Sequence, residues 1–328
     1  MFIMKNIKRR LLECKIPFEE NIPLKNKTWI KTGGITSFWI TPISVNQLKQ
    51  TIEIFKLENM DFELVGHTSN LYYTDDYNPL AIISTIKVKQ FDEKEDYIEC
   101  SCGMPVSVIS RYCVNKGYVG FSGLVNLPGT VGAAICNNSS CFGCSLSDNL
   151  IECTFYNLEE NKIVHLVPSE LDFSYRSSKL KRKELKGVLL TLKLSKKIGN
   201  IEDEKAKAME ATRIRKTTQE MPAYTLGSVF AGLIPKNNLM SKCVIGGGKI
   251  LKLCGLYTKK RYKKFLLAFY GYSYLNDFIS DKVINTFIWL PNRDDKEKMF
   301  YEYLKFIAKA YKKPRLEIEI RNGNRQYK

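Results

Sequence analysis

Gly117, Gly120, Gly123, Gly129, Gly132 and Gly143 crowd into the stretch from Gly117 to Asp148, together with Pro128, Asn137 and Asn138. Glycine admits positive φ and lets a backbone approach a ligand closely, and asparagine tolerates the left-handed region. At the centre, Pro128-Gly129-Thr130-Val131-Gly132-Ala133-Ala134 sets small residues on either side of a turn. Backbone N–H groups presented there would cradle an anion such as phosphate. Composition alone allows a Gly-rich surface loop equally well.

Other reactive side chains are scattered. The chain holds 10 cysteines and 2 histidines, His67 and His165. Cys100-x-Cys102 and Cys141-x-x-Cys144 have the spacing of metal or redox pairs. A structural zinc site needs four ligands, and nothing pairs these cysteines with the histidines, so free thiols and no metal are expected. A disulfide scaffold is not expected in a chain of 328 residues. The formal net charge is +17, densest from Tyr257 to Phe265, where aromatics alternate with lysine and arginine. Such a pattern binds nucleic acid or an acidic membrane surface, but a solvated face of a Lys-rich protein is the favoured reading.

The order of residues in the glycine-rich stretch resembles the UDP-N-acetylenolpyruvoylglucosamine reductases, the MurB family of flavoenzymes. Gly117, Gly120, Pro128, Gly129, Thr130, Val131, Gly132 and Ala134 fall in register with that family's G-L-S-G-L-E-x-x-x-G-I-P-G-T-V-G-G-A segment. Asn138, Gly143 and Asp148 continue the match, with Ser140 for glycine and Phe142 for tyrosine. Further fragments follow in the family's order: Thr32-Gly33-Gly34 ahead of the first strand, Gly66-His67-Thr68-Ser69-Asn70 as a phosphate loop, and Phe173-Ser174-Tyr175-Arg176-Ser177-Ser178. Gln219 to Phe230, ending Gly227-Ser228-Val229-Phe230, and Leu316-Glu317-Ile318-Glu319-Ile320 complete them.

The resemblance implies an α+β flavoprotein with two N-terminal FAD-binding domains and a C-terminal substrate-binding domain. The motif positions divide it as 1–88, 89–201 and 202–313, with a C-terminal strand within 314–328 joined to the second part. It implies FAD held by Gly66, His67, Thr68, Ser69, Asn70, Ser122, Pro128, Gly129, Thr130, Gly132, Ala133, Asn138 and Ser139, with NADPH as the electron donor. The substrate, a UDP-linked amino sugar, would meet Tyr175, Arg176, Gly227 and Ser228. Reduction of its enolpyruvyl group needs a hydride, stabilisation of an enolate-like intermediate and a proton. By the same resemblance Arg176 and Glu319 stabilise the intermediate and Ser228 supplies the proton. Glu317 is the register-slip rival of Glu319. Cys141 and Cys144 would lie beside the flavin segment, which favours a redox role over a metal one.

Departures from the family pattern mark where function can differ. His67 and Thr68 replace small residues, and Ser122 and Asn126 replace a glutamate and a glycine. Ala231-Gly232-Leu233 stands where the family has K-N-P, the later histidine segment survives as Ser280–Thr286 without histidine, and 232–278 aligns with nothing. Three functions are compatible with the residues, in this order: the cell-wall sugar-nucleotide reductase, a divergent flavoenzyme for another nucleotide-linked sugar, and a non-catalytic binding protein on the same fold. Nucleic acid is not the expected partner.

The elements that must position these residues are legible in outline. Ser37–Thr41 and Phe62–Val65 read as strands, and Ser44 caps a helix burying Leu48, Ile52 and Phe55. Pro105 opens a second helix with Val108, Ile109 and Tyr112 on one side, closed at Gly117. Asn292 or Asp294 caps a third with Met299, Tyr303, Ile307 and Tyr311 on one face, stopped before Pro314. The alternation from Leu316 to Arg321 puts Glu317, Glu319 and Arg321 on one face of a strand. No apolar run reaches the roughly 18–20 residues of a membrane span, and the amino terminus lacks a signal-peptide pattern, so a cytoplasmic protein is expected.

Overall fold

The computed structural model describes residues 2–220 and 224–323. In chain order its elements are α1 (Phe2–Glu13), β1 (Phe18–Pro23), β2 (Ile35–Ile40), α2 (Val45–Leu57), β3 (Glu63–Val65), β4 (Leu71–Tyr73), β5 (Ala81–Ser84), β6 (Phe91–Glu93) and β7 (Tyr97–Ser101). Next come α3 (Val106–Asn115), α4 (Val131–Cys136), β8 (Ser140–Cys141), β9 (Cys144–Ser145), β10 (Leu150–Asn157), β11 (Lys162–Leu166) and β12 (Gly187–Ser195). The remainder is α5 (Ile201–Thr218), α6 (Leu239–Leu253), α7 (Lys259–Tyr270), α8 (Lys296–Ala310) and β13 (Glu319–Arg321). This is the expected α+β composition. The chain divides into two units, the first made of 1–23, 35–68 and 78–213, the second of 24–34, 69–77 and 214–328.

The first unit holds two sheets. One has the order β1-β2-β5-β3, with β2, β5 and β3 parallel and β1 antiparallel at the edge. The other is antiparallel in the order β11-β10-β12-β7-β6. Parallel strands need a crossover, and α2 supplies it between β2 and β3. Ser44 accepts a hydrogen bond from the Gln47 N–H, and Leu48, Ile52 and Phe55 are buried, as the sequence pattern predicts. Thr32-Gly33-Gly34 precedes the second strand rather than the first, because Phe18–Pro23 pairs with β2 ahead of it. Helix α1 was not legible as an element, although its Ile7 and Leu11, four residues apart, are fully buried. On α3 the buried residues are Val106, Ile109, Ser110, Cys113 and Val114, while Val108 points to solvent. The expected face was rotated because Val106, the first helical residue after Pro105, sets the inward stripe.

Glu93 closes this unit at the end of β6. Its carboxylate accepts hydrogen bonds from the Tyr112 hydroxyl, the Tyr118 hydroxyl and the Lys196 ammonium. In that order of importance they hold it at about 2, against an ordinary 4.5.

The second unit is organised around aromatic rings. Tyr72 lies 4.4 Å from Trp289 and 5.0 Å from Phe300, and Phe287 lies 5.1 Å from Phe300, centroid to centroid. Asp295, not Asn292 or Asp294, stands at the cap of α8, whose Met299, Tyr303 and Ile307 are buried. Strand β13 pairs in parallel with β4, Glu319 opposite Leu71. The C-terminal strand expected to join 89–201 therefore pairs within the second unit, because the β4 edge offers it unpaired amides and carbonyls; 324–328 lie outside the described residues.

Truncating Phe300 to alanine should cost about 3–5 kcal/mol in urea unfolding, the range for a large buried ring. Glu93→Gln should destabilise by about 1–2 kcal/mol at neutral pH. Because the folded carboxylate titrates below its unfolded value, the wild-type advantage is complete above about pH 4.5 and fades as pH falls through 2. Unfolding midpoints of the two proteins measured down that range should converge; a constant gap would contradict the assignment.

Candidate flavin and substrate site

Loop Gly66-His67-Thr68-Ser69-Asn70 leaves the carboxyl end of β3, within a run of parallel strands whose carboxyl ends are the usual ligand-binding edge of such sheets. Gly66 is there because nothing larger fits: a Cβ on it would lie 2.5 Å from the Thr130 Oγ1. That close approach joins two separate glycine-bearing segments in the first unit. Thr68, buried, takes φ +54°, a left-handed conformation that a β-branched residue adopts at about 1–2 kcal/mol. Burial, then the nearby Lys89, holds His67 below its ordinary 6.5. His67 is therefore neutral at neutral pH and offers a phosphate a hydrogen bond rather than a charge.

Thr130 caps α4 and accepts from the Ala133 N–H, while Gly129 takes φ +119°. The first amides of α4 do not form the anion cradle expected of them. Val131 donates to the Met104 carbonyl at 2.8 Å and Gly132 to the Cys102 carbonyl at 2.9 Å. A buried helix start must satisfy its donors, and the 102–104 backbone does so here. After the helix, Asn137 leaves its side-chain carbonyl buried with no hydrogen-bond partner among the described residues. An N–H of a ligand would satisfy it.

Asn138 (φ +43°) ties the segment together. Its side-chain carbonyl accepts from the Ser145 and Ser147 hydroxyls, and its amide donates to the Ser174 carbonyl at 2.8 Å. Ser178 donates to the Cys136 carbonyl at 2.6 Å. Between those two anchors Ser174 and Ser177 exchange backbone hydrogen bonds at 3.0 and 3.1 Å, leaving Tyr175 and Arg176 at the tip of a tight turn. Arg176 takes φ +54°. A residue that is neither Gly, Asn nor Asp in this region is uncommon and clusters at functional sites. Sequence reasoning placed Arg176 and Asn138 in the site; only the structure shows that one holds the turn of the other.

The departures have structural accounts. Asn126 accepts from Arg111 at 3.1 Å and donates to Thr212 at 2.7 Å, so it links α3 to α5. Buried Ser122 lies against the Cys144 sulfur at 3.9 Å. Cys141 and Cys144 face each other as register partners across the β8–β9 hairpin. Burial pushes Cys102 and Cys113 up to about 12, so they are inert thiols rather than nucleophiles.

In the second unit Gly227 (φ +78°) and Ser228 are exposed at the start of an extended segment. Ser228 is bridged to Thr286, and Asn285 clamps the neighbour: its amide donates to the Phe230 carbonyl at 2.7 Å and its carbonyl accepts from the Phe230 N–H at 3.0 Å. On the other side the Glu317 N–H donates to the Val229 carbonyl at 2.9 Å. Glu319 follows, its N–H bonded to the Asn70 carbonyl and its carboxylate held by Arg321 at 3.0 Å. Ser228, Glu319 and Asn70 thus belong to one hydrogen-bonded framework. Asn285 was noticed only as part of a degraded motif; its paired bonds to one distant residue have no signal in sequence.

Comparison with known proteins establishes the family and the fold. A family described as FAD binding domain matches residues 36–166. The UDP-N-acetylenolpyruvoylglucosamine reductase of Caldicellulosiruptor saccharolyticus is 31% identical over 242 residues, 73% of this chain and 76% of the relative. That of Caldicellulosiruptor bescii is 30% identical, over 77% of this chain and 80% of the relative. The chain belongs to the UDP-N-acetylenolpyruvoylglucosamine reductase family. The crystal structure of the Thermus caldophilus reductase (MurB) shares the fold, with a TM-score of 0.66 at 21% identity, covering 93% of this chain and 99% of that one. As a family member the protein is an FAD-dependent oxidoreductase, which sets aside the non-catalytic reading. One observation in the first unit suits a bound ligand on its own account: the buried Asn137 acceptor, unsatisfied among the described residues, beside the segment that matches the FAD-binding family. Among the described residues no helix is long and apolar enough to cross a membrane.

Gly66→Ala should lower FAD retention at least about tenfold without unfolding the protein, since a 2.5 Å contact forces the loop from Thr130. Asn138→Ala should free the Arg176 turn and cost about 1–2 kcal/mol. Equilibrium dialysis with FAD and thermal unfolding check the pair; unchanged FAD affinity in Gly66→Ala would remove this loop from the site.

Proposed function

We propose that this protein reduces the enolpyruvyl group of UDP-N-acetylglucosamine enolpyruvate to give UDP-N-acetylmuramate, a step of peptidoglycan precursor synthesis in the cytoplasm, with NADPH as donor. What carries the reading is the Tyr175–Arg176 turn, strained at Arg176 and anchored to the flavin segment through Asn138. Strained non-glycine residues cluster at functional sites, which supports a role for this turn.

Residues of the 66–70 and 122–139 segments would hold FAD, which would supply hydride chemistry there with NADPH as the electron source. Arg176 offers a planar fork to the substrate carboxylate and stabilises charge as it develops there. Tyr175 and Gly227 complete the contacts to the sugar nucleotide. Ser228 donates the proton to the neighbouring carbon. A serine hydroxyl is a weak acid, so its geometry must be held, and the Thr286 bridge and the Asn285 clamp supply that rigidity. Glu319, oriented by Arg321, supports the same intermediate. We retain the division 1–88, 89–201 and 202–313 as the functional parts. The net charge of +17 attracts both anionic substrates without selecting them. Ala231-Gly232-Leu233 supports the second reading, another nucleotide-linked sugar as substrate, and the same assay separates the two.

Purified protein should show oxidised-flavin bands near about 370 and 450 nm and sustain multiple-turnover NADPH oxidation with the enolpyruvyl sugar nucleotide. Ser228→Ala should lower kcat by about 10² to 10⁴ while NADPH still bleaches the flavin. Arg176→Lys and Glu319→Gln should each lower kcat/KM with the flavin spectrum unchanged. Turnover of a different UDP-sugar in preference would replace the substrate. Full activity of Ser228→Ala would remove the serine from proton transfer.

A further inference from the structure

Between Glu220 and Asp277 the sequence contains no acidic residue, while Lys236, Lys242, Lys249, Lys252, Lys259 and Lys264 are among its bases. From 232 onward this region aligns with no family motif, and it contains α6 and α7. The inner face of α6 buries Ser241, Val244 and Gly248. Gly247 and Gly248 have no room for a Cβ, which would meet Phe265 at 2.5 Å and Tyr262 at 2.7 Å, so α7 packs closely there. That side of the helix is fully occupied.

The opposite side is also apolar. Leu239, Cys243, Gly246, Ile250 and Leu253 recur at alternating steps of four and three, which places them on one stripe of a helix. Leu239 is 77% exposed, Ile250 61% and Leu253 87%, and Leu256 in the following turn is also exposed. Lys242 and Lys249 flank the stripe, and no carboxylate pairs with either among the described residues. By contrast Lys260 and Lys263 share the Asp281 carboxylate, at 2.9 and 2.7 Å. A long exposed aliphatic stripe edged by unpaired lysines is costly to leave in water.

We propose that this face of α6, with the Leu253–Leu256 turn, docks the protein on a bilayer surface that carries anionic lipid headgroups. The charge selects the occupant. A second copy of this chain would set lysines against lysines, whereas an anionic bilayer offers headgroups to the lysines and an acyl boundary to the leucines. Nucleic acid would satisfy the lysines but leave Leu239, Ile250 and Leu253 in water. On such a surface the lysine stems would lie along the apolar stripe with their ammonium groups at headgroup phosphates.

The test is co-sedimentation of the full chain with vesicles of phosphatidylcholine alone or with one quarter phosphatidylglycerol, at low and physiological salt. Wild-type protein should partition at least about tenfold more strongly onto the anionic vesicles, less so as salt rises. Leu253→Ser/Leu256→Ser keeps every charge and should lose at least about tenfold of that binding, with circular dichroism and reductase turnover unchanged. Lys242→Gln/Lys249→Gln should lose binding to anionic vesicles selectively. Equal binding to neutral vesicles, or full binding by the leucine variant, would overturn the proposal. So would a single-stranded oligonucleotide competing the protein off the vesicles without regard to the leucines, or a dimer in sedimentation that the leucine variant abolishes.

Discussion

Arg176 occupies a backbone region that costs an ordinary L-residue about 1–2 kcal/mol, and the hydrogen bonds around it offset that cost. The reciprocal Ser174–Ser177 pair closes the turn, and Asn138 and Ser178 fasten it to the end of α4. At about 1 kcal/mol each, two such bonds suffice to hold the strained conformation. Everything proposed for the first unit's chemistry depends on this constraint. The segment proposed to line the flavin region also fixes the arginine, so the position of one is a function of the other.

A comparable economy operates in the second unit. Asn285 uses both ends of its amide on Phe230, and the Glu317 N–H takes the Val229 carbonyl from the other side. Ser228 is carried at the exposed end of a segment that cannot pivot. The aromatic cluster of Tyr72, Phe287, Trp289 and Phe300 gives that framework its rigid backing. The departures from family pattern fall where such support is local. Asn126, for instance, exchanges a family glycine for a link between α3 and α5.

Much of the fold was legible. Helix α2 was announced by a capping serine and an apolar stripe, and α8 by spacing and a terminating proline, because both signals act within a few residues of chain. Strand β1, whose inward and outward residues do not alternate cleanly, and helix α1, rich in basic residues, were not. The rotated face of α3 failed for a related reason: periodicity gives a stripe, but neighbours decide which edge of it is buried. The α4 amides illustrate the same limit, since a loop rich in glycine advertises free N–H groups and cannot report that Met104 and Cys102 have taken them.

By itself, the sequence determined the α+β class, the family through ordered glycine, serine and arginine motifs, and the residues at which chemistry is expected. Those are properties of residue type and local spacing. Tertiary structure alone decided that Gly66 must be bare against Thr130, that Asn138 holds the Arg176 turn and that Asn285 clamps Phe230. It also decided that β13 adds to β4. Each of these joins positions far apart in the chain, where only folding determines which donor finds which acceptor and which side chain has room.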